Sequence, residues 1–116
     1  MEDKEFWALE RDFWLGGVFV YEARLAAQSL MVLPEPAGVL ERTETINSIE
    51  AGTRWSNVNI LNKKAVFPSE NVALLTYRAH AARDGTQEYI AQCSSVYVLE
   101  NAEWKLAVHH QSPLMP

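Results

Sequence analysis

Three side chains able to carry positive charge, Arg78, His80 and His110, stand at positions where strand alternation can aim them into one enclosed space. Thr76, Tyr89, Cys93 and Ser95 join them as neutral polar companions. An arginine on such a wall holds a carboxylate with two parallel hydrogen bonds, so the cluster favours an anion. The alternative is that Arg78 pairs with a protein carboxylate or reaches solvent at the rim, with both histidines satisfied structurally. Two histidines make a poor metal set, so neither a metal nor a cofactor is implied. Glu10 falls within an apolar stripe at helical spacing, between Phe6 and Trp14. Facing inward, it can act as a general acid or base or close an ion pair with Arg78; at a rim, it turns its carboxylate into water. Cys93 reads as a small buried apolar residue unless a base stands beside it.

These groups share a space only if their strands pair in a particular register. A two-residue loop at Asp84-Gly85 places His80 opposite Tyr89, Arg78 opposite Ala91 and Thr76 opposite Cys93. A second tight turn, at Asn101-Ala102, places Leu99 opposite Trp104, Tyr97 opposite Leu106, Ser95 opposite Val108 and Cys93 opposite His110. One face then carries the candidates with Tyr97, Leu106 and other bulky residues, and is expected to be the concave, helix-covered side. The other carries Leu75, Tyr77, Gln92, Ser94, Val96, Lys105, Ala107, His109 and Gln111. A slip of one residue exchanges the faces. Glu22, Trp55, Asn57 and Asn59 are further cavity candidates, the last three turned outward if their strand bulges.

The supporting elements follow from periodicity. Residues 2–14 form an amphipathic helix, Gly16-Gly17 interrupts it, and 18–27 offers a second, shorter one. A strand at 29–33, a turn at Pro34–Gly38 and a return at Val39-Leu40 precede a third helix at 42–51, closed by Gly52. Alternating segments at 54–67, 71–83, 87–100 and 103–111 then predict four antiparallel strands. Helices first and a long meander last indicate an α+β domain whose helices cover one face of a curved sheet.

The chain has 116 residues, 48% apolar and 22% charged, which suits a single domain spanning 1–116 with one core. A net charge of −5, with no basic cluster beyond Lys63-Lys64, argues against nucleic acid as a partner. No apolar run approaches the ~20 residues of a membrane span, and the acidic Met1–Glu5 start is unlike a signal sequence, so a cytoplasmic location is expected. The one cysteine, Cys93, excludes an intrachain disulfide.

Several segments carry a resemblance: Leu9–Trp14 in the first helix, Gly38–Ile46 leading into the third, and Val96–Trp104 running into His109–Ser112. Over nearly its whole length the chain resembles the nuclear transport factor 2-like (cystatin-like) superfamily, particularly bacterial SnoaL-like and ketosteroid-isomerase-like members of unassigned function. Its tail, with Trp104, His110 and Ser112, is similar to the association domain of calcium/calmodulin-dependent kinase. The resemblance implies a cone-shaped curved antiparallel sheet wrapped over N-terminal helices, a deep pocket, and a homodimer formed through the convex side. Steroid-isomerase chemistry needs an acidic base and an oxyanion hole of Tyr plus protonated Asp. The aspartates here are Asp3, Asp12 and Asp84, none of them at a pocket-facing strand position. The resemblance has two departures: Gly16-Gly17 stands where many relatives carry Gly-Asp, and Ser95 stands where the kinase association domain carries an arginine. The expected function is binding of a small, partly apolar molecule with a polar or acidic end. An enzyme performing proton transfer, isomerisation or hydration with a His or Glu acid/base is the alternative, and an assembly module a third.

Overall fold

The computed structural model describes residues 3–114. Three helices, α1 (Asp3–Leu15), α2 (Val18–Arg24) and α3 (Arg42–Ala51), pack with six strands: β1 (Leu25–Val32), β2 (Val39–Glu41), β3 (Asn57–Ser69), β4 (Val72–Ala82), β5 (Tyr89–Glu100) and β6 (Glu103–Pro113). The strands form one curved α+β sheet in the order β2-β1-β6-β5-β4-β3. The sheet is mixed, because β1 runs parallel to β6 whereas every other pair is antiparallel. That pairing also ends α2 early. Leu25 pairs with Leu106, so residues expected to continue the helix through Ala27 become strand.

Apolar residues on α1 meet those of the concave sheet face in the core. Phe6, Leu9 and Phe13 pack with Leu75, Tyr97 and Leu106, and Phe6 lies edge-on to Tyr97 and Trp104. Burying a side chain such as Leu75 contributes about 1.5–3 kcal/mol. α3 begins with a capping box in which the side chains of Glu41 and Glu44 satisfy each other's backbone N–H groups, and Gly52 closes it through a bond to the Ser48 carbonyl.

Two register details decide which residues face the core. The turn at Asp84-Gly85 forms, with the Thr86 N–H donating to the Arg83 carbonyl at 3.2 Å, but the ladder begins only at Ala81–Tyr89. One more residue therefore lies on the β5 side of the turn than on the β4 side. β4 shifts by one, setting Tyr77 opposite Cys93 and Arg78 opposite Gln92. The Asn101-Ala102 turn forms with both residues at positive φ, and Leu99–Trp104 and Tyr97–Leu106 pair as expected. A bulge at Ala107 follows, so Val96 faces Val108, Ser95 faces His109 and Ser94 faces His110. Beyond it, β6 has the opposite phase.

Leu75 and Tyr77, expected on the convex face, are fully buried on the concave one. The convex face carries Leu74 and Val108 in their place, with Val96 on that face as expected. Ala102, at φ 66°, occupies a backbone region in which glycine carries no Cβ penalty. Ala102→Gly, giving an Asn-Gly turn, is expected to stabilise the fold by about 1 kcal/mol. Chemical denaturation checks this; an unchanged or lowered midpoint contradicts it.

Candidate functional site

The buried stripe of α1 contains a charged residue. Glu10 lies between Leu9 and Phe13 in that stripe and has no exposed surface, so the reading in which its carboxylate reaches water at a rim does not hold. A buried carboxyl group costs several kcal/mol unless hydrogen-bond donors compensate. The Tyr97 hydroxyl donates to Oε1 at 2.8 Å, and the Tyr77 hydroxyl donates to Oε2. Trp14 Nε1 in turn donates to the Tyr77 hydroxyl at 2.8 Å. Burial first, and then the neighbouring Glu10, push both tyrosines well above their usual pKa, so they remain protonated donors.

His109 stands beside this group. Its Nδ1 is 2.8 Å from Ser95 Oγ and 3.8 Å from Glu10 Oε2, and its ring meets Trp14 edge-on. On the other side, Nε2 is 3.1 Å from Gln111 Nε2, while Gln111 Oε1 accepts from the Tyr89 hydroxyl at 2.9 Å. Because the Gln111 nitrogen can only donate, Nε2 accepts and the ring proton resides on Nδ1, directed at Ser95. Burial lowers the His109 pKa against the opposing pull of Glu10, and His110 adds a smaller lowering effect. The imidazole is therefore neutral near pH 7.

His109, Gln111 and Tyr89 open onto a cavity of about 540 Å³ between the sheet and the helices. Phe13, Trp14 and Trp55 supply aromatic wall, while Met31, Leu33, Leu40, Ile49 and Leu106 supply aliphatic wall. Trp55 and Tyr89 stack at 5.4 Å between ring centres and 16° between planes. Two cations complete the lining. Arg54 donates to the carbonyls of Phe13 (2.6 Å), Trp14 (2.7 Å) and Gly16 (2.7 Å), and to the Tyr21 hydroxyl (3.2 Å). It thus occupies the negative end of α1, where carbonyls lack helical partners. Arg83 lies 3.7 Å over the Trp55 ring and donates from Nε to the Thr53 carbonyl at 3.0 Å. No Asp or Glu lines the cavity among the described residues.

The expected site divides between the two faces of the sheet. Glu10, Tyr89, Cys93 and Ser95 lie on the concave side, with Tyr89 on the cavity wall and Ser95 and Glu10 behind His109. Thr76, Arg78, His80 and His110 lie on the convex side, displaced by the extra residue before β5 and by the Ala107 bulge. Arg78 and Glu10 are consequently separated by the sheet and form no ion pair. Arg78 Nε is buried without a hydrogen-bond partner, His80 Nδ1 lies 3.4 Å from Glu88, and His110 Nε2 lies 3.4 Å from Ser112 Oγ. Burial, with Glu10 adding, pushes the Cys93 thiol up to about 12, which removes the thiolate a nucleophile requires. Among the further candidates Trp55 lines the cavity, whereas Glu22, Asn57 and Asn59 are exposed. Sequence patterning does not bring Arg54, Arg83, His109 or Gln111 to this wall, where the structure places them. The alternation of β6 pointed to His109 and Gln111 only in the opposite phase. Among the described residues no group of three or more His, Cys, Asp or Glu is placed to hold a metal ion, and no helix is long and apolar enough to cross a membrane.

No protein-family model matches this sequence, and no curated protein matches it either. Solved structures do. A nuclear transport factor 2-like protein from Cytophaga hutchinsonii superposes with a TM-score of 0.81 over 98% of this chain and 100% of its own, at 12% identity. One of unknown function from Prochlorococcus marinus gives 0.81 over 100% and 96%, at 17% identity. This chain has the nuclear transport factor 2-like fold. The association domain of the C. elegans calcium/calmodulin-dependent kinase II is similar in the same way, with a TM-score of 0.75 over 94% of this chain and 90% of its own, at 19% identity. In this example of the nuclear transport factor 2-like fold, α1 packs on the sheet and brings Glu10 to 3.8 Å from His109.

Two outcomes follow from the buried network. Tyr97→Phe removes one donor from Glu10 and is expected to cost about 1.5–3 kcal/mol, measured as a loss of unfolding free energy in urea. His109 has a folded-state pKa below its unfolded value of 6.5, so between the two the unfolded chain binds more protons. Its contribution to stability is complete above pH 6.5 and falls as the pH drops through that window. Denaturation midpoints at pH 5 and 7.5 are expected to differ less in His109→Gln than in the native protein.

Proposed function

We propose that the cavity binds a small, partly apolar molecule with a polar or acidic end. The observation that carries this reading is the character of the lining: aromatic and aliphatic walls with Arg54 and Arg83 as cations, His109 as an ionisable group, and no acidic side chain. A carboxylate entering such a space meets favourable potential and no like charge. His109, Gln111 and Tyr89 converge on one part of the wall, which favours one orientation of the ligand. Similarity to the proteins described above supports the scaffold, and that scaffold hosts many functions, so the reading rests on the cavity.

Thermal-shift titration separates the acidic group from the apolar body. 4-Phenylbutanoate is expected to stabilise the protein at concentrations at which 4-phenylbutanamide does not, and Arg83→Gln to weaken carboxylate binding about tenfold. Equal stabilisation by acid and amide removes the anionic preference, and stabilisation by neither at millimolar concentration rejects the reading.

We also propose a homodimer through the convex sheet face. Leu74, Val96 and Val108 form its partly exposed apolar surface, and Leu30, Leu61 and Val66 on neighbouring strands are more than 40% exposed. Val96→Asp is expected to shift sedimentation at micromolar concentration from dimer to monomer with the fold preserved by circular dichroism. A native protein that sediments as a monomer contradicts the assembly.

A further inference from the structure

We propose that the part of the cavity wall formed by His109, Gln111 and Tyr89 is a carboxylic-acid subsite, and that a carboxyl group enters it together with one proton, which His109 holds. The proposal rests on the reading that the cavity takes an acidic ligand and says where the acid goes. Arg54 is directed to α1, its guanidinium donating to the Phe13, Trp14 and Gly16 carbonyls. Arg83 is only half-buried, stacks on Trp55 and donates to Thr53. These cations attract an anion, whereas the polar atoms that converge through hydrogen bonds are those of His109, Gln111 and Tyr89.

There the hydrogen-bond pattern is specific. Gln111 Oε1 accepts from Tyr89, and one of the two amide N–H bonds of Gln111 is directed at His109 Nε2. A carboxylate that accepts from the Gln111 amide draws its N–H off His109 Nε2, and the single lone pair of Nε2 is left facing the second carboxylate oxygen. Two acceptors then face each other without a proton between them. A proton from solvent bonded to Nε2 resolves the conflict: Nε2–H donates to the ligand while Nδ1–H continues to face Ser95 Oγ at 2.8 Å, with Glu10 Oε2 at 3.8 Å on the same side. The imidazolium lies between Glu10 and the ligand carboxylate, and no bond between heavy atoms changes.

The surroundings support this balance. α1 contributes Glu10 and the edge of Trp14; β5 contributes Ser95, with Cys93 and Tyr97 as its neighbours on the same face; β1 contributes the uncharged Met31 as register partner. On β6 the adjacent His110 lies on the far face, and Arg54 and Arg83 line the same cavity. Burial and His110 oppose the charged ring, Glu10 favours it, and a bound anion adds a second favourable charge.

The test is calorimetric. Titration of 4-phenylbutanoate at pH 7 in phosphate and in Tris, buffers of different ionisation enthalpy, gives the number of protons taken up. Uptake approaching one proton per ligand is expected for the native protein, with affinity rising about tenfold for each pH unit lowered between the ring's free and bound pKa values. His109→Gln is expected to bind without uptake, whereas Arg83→Gln weakens binding and retains it. Ring-nitrogen NMR of the unsubstituted protein, with and without the probe, measures the same protonation and needs no variant. Binding by the native protein with no proton uptake, or uptake surviving in His109→Gln, overturns the subsite and leaves the cavity reading intact. Absence of binding between pH 5 and 8 overturns the cavity reading, and the subsite with it.

Discussion

A carboxyl group buried as completely as that of Glu10 must be met by donors, and no residue near it in sequence meets it alone. Tyr77 reaches it from β4 and Tyr97 from β5, while Trp14 orients Tyr77 from one helical turn along α1. The position of α1 on the sheet is therefore specified by directional bonds as well as by apolar contact. Hydrophobic packing alone tolerates sliding and rotation of a helix by fractions of a turn. A carboxyl held by two phenols from neighbouring strands does not, because either movement leaves a buried polar atom unpaired. His109 takes its place in the same network through Nδ1, so what holds the helix also orients the ring that opens onto the cavity.

Arg54 has a complementary role at the other end of α1. Its guanidinium gathers carbonyls from the last turn of the helix and from Gly16, and thereby fixes the elbow between α1 and α2. Gly16 is required there by space, since a Cβ would lie 2.7 Å from the Asp12 carbonyl oxygen and 2.5 Å from a Val20 methyl. Trp14 and Tyr21, on either side of the elbow, form one wall of the cavity, which is consequently in place before a ligand arrives.

Much of the fold was legible. The boundaries of α3, the hairpin at Asn101-Ala102 and the sequence of helices followed by a meander could be read from periodicity and turn chemistry, as could the burial of Phe6 and Trp14. The site was legible only in part. Glu10 could be singled out because an acid interrupts an apolar stripe, and Tyr89 and Ser95 because β5 keeps a single phase. Arg78, His80 and Thr76 were misplaced by one residue on one side of a turn, and His110 by one bulged residue, because neither irregularity leaves a local compositional mark. The parallel pairing of β1 with β6 is a contact between distant segments that local propensity cannot register, and the same holds for an arginine recruited to a helix end forty residues away.

The Ala107 bulge reverses the phase of β6 immediately before two consecutive histidines, His109 and His110, which pair with two consecutive serines, Ser95 and Ser94. On this short stretch the two possible registers are chemically degenerate: whichever way the strands alternate, an imidazole and a hydroxyl point inward and an equivalent pair points outward. Register there is enforced from outside the pair, by residues that are not interchangeable, such as Tyr97 beside Val96 and Gln111 beside Ser112. The bulge thus acts as a frame boundary. On one side of it Trp104 and Leu106 pack with Phe6 of α1, and on the other His109 and Gln111 present polar atoms to the cavity that Leu106 also lines, so the strand turns from core packing to site chemistry at a single residue.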